Sequence, residues 1–153
     1  MIIHDKINVV LEQLRQEFEN KSLNLKVEFE GPYLALYTND TSLLTGETGI
    51  IPKIAKLIRK KIIVRPLPEI RVEKEKAKEI IKQKVPKEAG LDEDNIYFDE
   101  TKGEIHLYFL RPGLLRTRGN LILWELTNET KWRIIIHRKP AIESDIIRTV
   151  DHI

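Results

Sequence analysis

Cysteine is absent from the 153 residues. That excludes disulfides, thiolate nucleophiles and Cys-based zinc sites. Histidine is scarce: His4, His106, His137 and His152 are scattered, with no two at the i,i+4 spacing that places two ligands on one helix face. No metal site and no cofactor is expected. Serine occurs only as Ser22, Ser42 and Ser144, none in a nucleophile elbow. Walker and dinucleotide glycine patterns are missing, and the run Asp92-Glu93-Asp94 lacks the alternating ligands and glycine of a calcium loop. These absences read as a non-enzyme. No apolar run approaches the roughly 20 residues that a membrane helix needs. The opening Met1-Ile2-Ile3-His4-Asp5-Lys6 lacks the basic start and apolar core of a signal sequence. A cytoplasmic protein is therefore expected.

What is present suffices for a core. Hydrophobic residues make up 41% of the chain and charged residues 33%, a balance that disfavours disorder. The length allows one or two small domains. The high Lys, Glu and Ile content, with one Met, points by composition to a hot habitat.

The net charge is only +2, but it is unevenly distributed. Residues 1–49 and 66–110 are net acidic. Residues 50–65 carry Lys53, Lys56, Arg59, Lys60, Lys61 and Arg65 with no acid, and residues 111–139 carry seven basic and two acidic residues. Two basic blocks in an acidic background can mark a polyanion site. The plainer alternative is a solvated helix face with cations near its C-terminus, where the dipole favours them.

The hydrophobic pattern reads as one unit written twice. Ile7, Val10, Leu11, Leu14 and Phe18 form one stripe of a helix over His4–Glu19. Strands follow at Leu25–Phe29 and Tyr33–Tyr37, separated by the turn signal Gly31-Pro32. The loop Gly46-Glu47-Thr48-Gly49 leads into a helix over Ile50–Lys61, with Ile51, Ile54, Ala55, Leu57 and Ile58 inward, and a strand over Ile62–Arg65 ends at Pro66-Leu67-Pro68. After that linker come a helix over Val72–Lys84, strands at Asn95–Phe98 and Glu104–Leu110, and a turn and loop at Arg111–Gly119. A helix over Asn120–Thr130, a strand over Trp132–His137 and a terminal helix over Pro140–Ile153 complete the unit. The repeat lies in element order, not in residue identity.

Four stretches then carry a resemblance. They are Val27-Glu28-Phe29-Glu30-Gly31-Pro32 with Tyr37-Thr38; Ala55 through Pro66; Val85-Pro86-Lys87-Glu88-Ala89-Gly90 with Ile96-Tyr97-Phe98-Asp99; and Pro112-Gly113-Leu114-Leu115 with Glu125 through Trp132. In this order they are similar to the N-terminal KH pair of archaeal β-CASP ribonucleases, the homologues of the cleavage and polyadenylation factor, without the nuclease. The resemblance implies an α+β fold of two tandem type II KH domains, each αββααβ, plus a short C-terminal helix. Residues 1–67 would form the first domain and 68–153 the second.

A KH domain clamps four nucleotides against a GxxG loop that opens onto a helix. Glycines let the backbone approach phosphates, and the amides at the helix N-terminus face the anion. In the second repeat the family has Gly-Lys-Gly-Gly where this chain has Thr117-Arg118-Gly119-Asn120. The basic second residue survives as Arg118, but both outer glycines are lost. Asn120 tolerates positive φ and Thr117, being β-branched, does not. Phosphate binding would then rest on charge, from Arg116, Thr117, Arg118, Gly119 and Asn120 aided by Arg111, Arg138 and Lys139. Lys53, Lys56 and Lys60 would extend the basic track. In the first repeat Gly46-Glu47-Thr48-Gly49 also spells GxxG, but Glu47 would repel a phosphate, so the plainer reading there is a flexible connection.

Leu121, Ile122 and Trp124 cannot all face a core from one helix, because four consecutive residues sweep its circumference. They are candidates for internal packing, for a protein interface, or, at Trp124, for base stacking. The expected function is therefore non-catalytic binding of single-stranded RNA, linked to archaeal mRNA 3'-end processing or decay. The alternative is a degenerate KH pair that has lost RNA binding and docks on a protein of the RNA-processing machinery or on itself.

Overall fold

The computed structural model describes residues 3–18, 23–46, 48–116 and 121–139. The expected terminal helix over residues 140–153 lies outside them. The architecture is α+β, with two three-stranded sheets. In chain order the first unit is α1 (Ile3–Glu17), β1 (Leu25–Glu30), β2 (Tyr33–Thr38), α2 (Thr41–Thr45), α3 (Ile50–Ile58) and β3 (Lys61–Pro66). The second is α4 (Lys74–Lys84), β4 (Tyr97–Asp99), β5 (Glu104–Phe109), α5 (Leu121–Thr130) and β6 (Arg133–Arg138). A 3-10 turn, Pro112–Leu115, stands in the second unit where α2 stands in the first.

Both sheets have the same wiring. β1 and β2 form an antiparallel hairpin through Gly31, which adopts φ 59°, and Glu30 pairs with Tyr33. β3 then pairs with β2 in parallel, with Leu36 opposite Val64. In the second sheet β4 and β5 are antiparallel, with Asp99 opposite Glu104, and β6 is parallel to β5, with Leu107 opposite Ile136. A parallel pair cannot be closed by a tight turn, so the helical connection that places α3 or α5 over the sheet follows from the strand order.

Each unit has its own core. Val10 and Leu14 of α1, Leu34 and Leu36 of β2, Leu43 of α2 and Ile54 and Ile58 of α3 are buried together. In the second unit Ala77 and Ile81 of α4, the alternating Ile105, Leu107 and Phe109 of β5, and Leu126 and Trp132 close the core.

α3 ends earlier than its hydrophobic pattern predicts. Arg59 turns into the left-handed region at φ 55°. The Arg59 amide bonds to the Lys56 carbonyl and the Lys60 amide to the Ala55 carbonyl, a Schellman closure that usually recruits glycine. Leu57, expected inward, is 53% exposed. It lies at the edge of the apolar arc whose centre is Ile54 and Ile58, and a nine-residue helix buries only that centre.

The segment from Pro66 to Val72 stitches the units together. The Leu67 amide bonds to the Thr38 carbonyl and the Val72 amide to the Thr130 carbonyl. The Trp132 indole donates to the Val72 carbonyl at 2.8 Å. Arg71 donates to the carbonyls of Pro66 and Glu100 at 2.8 and 2.6 Å. Gly103 closes this junction at φ 70°, where a Cβ would meet Pro66 and Arg71 at 2.8 Å. Gly103→Ala is expected to cost about 2–4 kcal/mol, from left-handed backbone strain and overpacking together. Urea unfolding checks it, and a loss below about 1 kcal/mol would show that the junction gives way freely.

Candidate nucleic-acid interface

The first glycine loop is built by the ends of two helices. Asp40 caps α2: its carboxylate accepts from the Leu43 amide at 3.1 Å. α2 ends at Gly46, φ 82°, whose amide bonds to the Ser42 carbonyl. Gly49, φ 65°, is the N-cap of α3 and adds no side-chain hydrogen bond there. Its amide bonds to the Gly46 carbonyl at 3.3 Å. Nothing lies within 4 Å of a Cβ placed at Gly46 or Gly49. The loop is therefore a turn between two helices with two left-handed glycines and open space beside them, not merely a flexible lead into one helix. In the first turn of α3 the Ile50 amide donates to the Thr48 hydroxyl at 3.5 Å and Pro52 has no N–H, so the open side of the turn rests on its glycines rather than on a row of free helix amides. Glu47 lies outside the described residues.

The helix beyond the loop carries the charge. Lys53, Lys56 and Arg59 are exposed on α3, and among the described residues no carboxylate forms an ion pair with any of them. Lys60 points elsewhere: its ammonium sits 5.0 Å from the Phe29 ring and 3.4 Å from the Gly31 carbonyl, beside the β1–β2 turn. Arg65 is buried, and its Nη1 lies 2.5 and 2.6 Å from the two carboxylate oxygens of Glu30. It belongs to the sheet and not to the basic surface, although its sequence block suggested otherwise.

The second loop, Thr117-Arg118-Gly119-Asn120, lies outside the described residues; its flanks do not. Arg116 is exposed directly after the turn Pro112–Leu115, and α5 starts at Leu121. The loop thus occupies the place between turn and helix that Gly46–Gly49 occupies in the first unit. Arg111 is tied down by a bond from its Nη1 to the Glu88 carbonyl at 2.5 Å. Arg138 ends β6 opposite Phe109 and is exposed. The Lys139 ammonium is paired with Asp92 at 3.3 Å. Asn95 first, and Lys139 after it, hold the Asp92 carboxyl below the ordinary carboxylate range. The structure therefore brings Arg111, Arg138 and Lys139 to one end of the second sheet; Arg111, Arg116 and Arg138 are exposed, whereas Lys139 is partly buried on Asp92.

The apolar residues of α5 part company. Ile122 packs against the second core. Leu121 is 43% exposed. Trp124 is half-buried and faces α2, in a seam that it lines with Thr41, Ser42 and Thr45. Leu121 and Trp124, three residues apart, share one face and line that seam together, whereas Ile122 points into the core.

One cluster escaped the sequence pattern. His106 and His137, 31 positions apart, stack at 5.1 Å with Nδ1 and Nε2 2.8 Å apart. Tyr108 stacks on the other side of His137 at 4.7 Å, and Tyr97 lies 5.8 Å from His106. Only the parallel β5–β6 register brings these rings together, so a search for helical spacing misses them. Asp99, Glu104 and His106 bring donor atoms within 4.8 Å of one another. Glu104, however, already meets Arg133 through one oxygen and His106 through the other, both at 3.3 Å. Burial pushes the Arg133 guanidinium down and Glu104 opposes that. The carboxylate is balanced by a cation of the protein itself, which makes the group an ion-pair network rather than an open ligand set. Among the described residues no helix is long and apolar enough to cross a membrane.

Residues 4–71 match the family described as transcription termination factor FttA, KH domain. The chain is 37% identical over 124 residues to transcription termination factor FttA of Thermococcus kodakarensis, covering 81% of this chain and 19% of that protein. It is 34% identical over 145 residues to the factor of Methanocaldococcus jannaschii, covering 92% and 22%. With the factor of Methanothermobacter thermautotrophicus the identity is 32% over 149 residues, covering 97% and 23%. The chain thus spans about a fifth of the length of these relatives. Over residues 4–71 it carries a KH domain of the kind found in the archaeal transcription termination factor FttA.

Proposed function

We propose that this chain binds single-stranded RNA without catalysing a reaction, as a tandem of two type II KH units. The observation that carries this reading is the loop Gly46–Gly49. It joins two helices through two left-handed glycines, opens onto free space, and is followed by Lys53, Lys56 and Arg59, which no described carboxylate neutralises. Close backbone approach and uncompensated cations are what a phosphate chain requires. The second unit repeats the strand order and pairing of the first, which supports a second KH unit with its loop at Thr117–Asn120. Its contact would be electrostatic, through Arg116 and Arg118. The relatives are named transcription termination factors, which supports the same setting for this chain, with transcription machinery as its protein partner.

Fluorescence anisotropy with a labelled single-stranded RNA tests this at about 50 and 200 mM salt. Four phosphates held by a KH clamp predict a log–log slope of about −2.8, so affinity should fall about 50-fold across that range. Absence of binding at the lower salt would overturn the reading.

A further inference from the structure

α2 packs against α5, and this contact has a consequence for the RNA. α2 passes directly into the glycine loop at Gly46, and α5 starts directly after the second loop. The attachment points of both loops therefore border one seam. That seam contains a hollow of about 310 Å³ between the two helices. Its apolar wall is the half-buried Trp124 together with the exposed Leu121. Its rim is polar: Ser42 and Thr45 from α2, Glu125 and Asn128 from α5. The Ser42 hydroxyl donates to the Asp40 carboxylate and the Thr45 hydroxyl to the Ser42 carbonyl. Asn128 brings a carboxamide.

We infer that this hollow seats one nucleobase of a single RNA strand passing between the two loops, stacked on Trp124. This inference rests on the RNA-binding reading. An apolar wall with hydroxyl, carboxamide and carboxylate groups at its rim suits a flat aromatic ring with a polar edge, because every base has a π-face and an edge of donors and acceptors. Glu125 keeps phosphates out of the hollow and leaves them to the loops on either side. A tryptophan that served only to join α2 to α5 would not respond to RNA.

The chain supplies its own probe. Its two tryptophans are Trp124 and Trp132. Trp132 is 4% exposed and bonded to the Val72 carbonyl, so RNA-dependent quenching must come from Trp124. Oligo(A) is the probe, with anisotropy of its label and tryptophan emission read in the same titration. Wild-type emission should be quenched in step with binding. Trp124→Ala should bind about 5- to 100-fold more weakly, and Trp124→Phe, which keeps a smaller ring to stack on, should lose less affinity and show no quenching. Binding with unchanged emission, or equal affinity of Trp124→Ala, overturns the seat and leaves the RNA-binding reading intact. Absence of oligo(A) binding by anisotropy overturns both. The quenching is measured on the wild-type chain, so it decides even if Trp124→Ala does not fold.

Discussion

Phe109→Ala should unfold the second unit at much lower urea than the first. Phe109 is fully buried at the end of β5, within the second core. Its truncation costs about 3–5 kcal/mol, a large part of the roughly 5–15 kcal/mol that holds a domain together. The two cores share no residue. They meet through the Pro66–Val72 segment and the α2–α5 seam, a smaller contact than either core. Both tryptophans lie in the second unit, and Trp132 contacts Phe98 edge-on at 5.2 Å. Tryptophan emission should therefore follow an early transition while far-ultraviolet circular dichroism becomes biphasic. Leu36→Ala, at a fully buried position of the first core, should give an early circular-dichroism phase with little change in emission. One coincident transition in both variants would mean that the seam and linker couple the units into one cooperative block.

How much of this was legible in the sequence depends on the element. The alternation Ile105-Leu107-Phe109 fixes both the strand and its inward face, and all three are fully buried. The turn Asp99–Gly103 and the helical stripe Val10-Leu14-Phe18 read equally directly. α2 did not. Five residues make little more than one helical turn, too short for a periodicity, and only the Asp40 cap marks it. The end of α3 at Ile58 was hidden because Arg59 adopts the left-handed conformation without being glycine or asparagine. α4 starts two residues later than its pattern because both backbone groups of Val72 are engaged by Thr130 and Trp132, a tertiary demand that no local signal carries. β4 likewise starts later, behind a 3-10 turn over Glu93–Asn95.

The site divides the same way. The glycine spacing of Gly46–Gly49 was visible, but its left-handed pair and the helix before it were not, so the loop read as a mere connection. Sequence treats Lys53, Lys56, Lys60 and Lys139 alike, as cations in basic blocks. The fold separates them: Lys60 lies on Phe29, Lys139 pairs with Asp92, and Lys53 and Lys56 are exposed on α3 with no ion pair among the described residues. Charge pairing across elements depends on which strand ends meet, and that is set by register rather than by composition.

That separation yields the second large effect. The double variant Lys53→Glu/Lys56→Glu should lower RNA affinity about 60-fold at 50 mM salt. Each phosphate contact on a single strand contributes about 0.7 to the log–log salt slope. Relative to 1 M salt this is about eightfold per contact at 50 mM, and two contacts multiply. The salt slope itself should flatten by about 1.4, which separates loss of phosphate contacts from general damage. Stability should stay within about 0.5 kcal/mol, since both side chains are exposed. Glutamate near the start of α3 suits the helix dipole and glutamate near its end opposes it, so the two dipole effects offset each other. Lys139→Glu, by contrast, places a carboxylate beside Asp92 and should disturb the second sheet more than RNA binding. If affinity and slope of the double variant match wild type, the phosphates do not run along α3, and the loop between α2 and α3 binds something other than a nucleic-acid backbone.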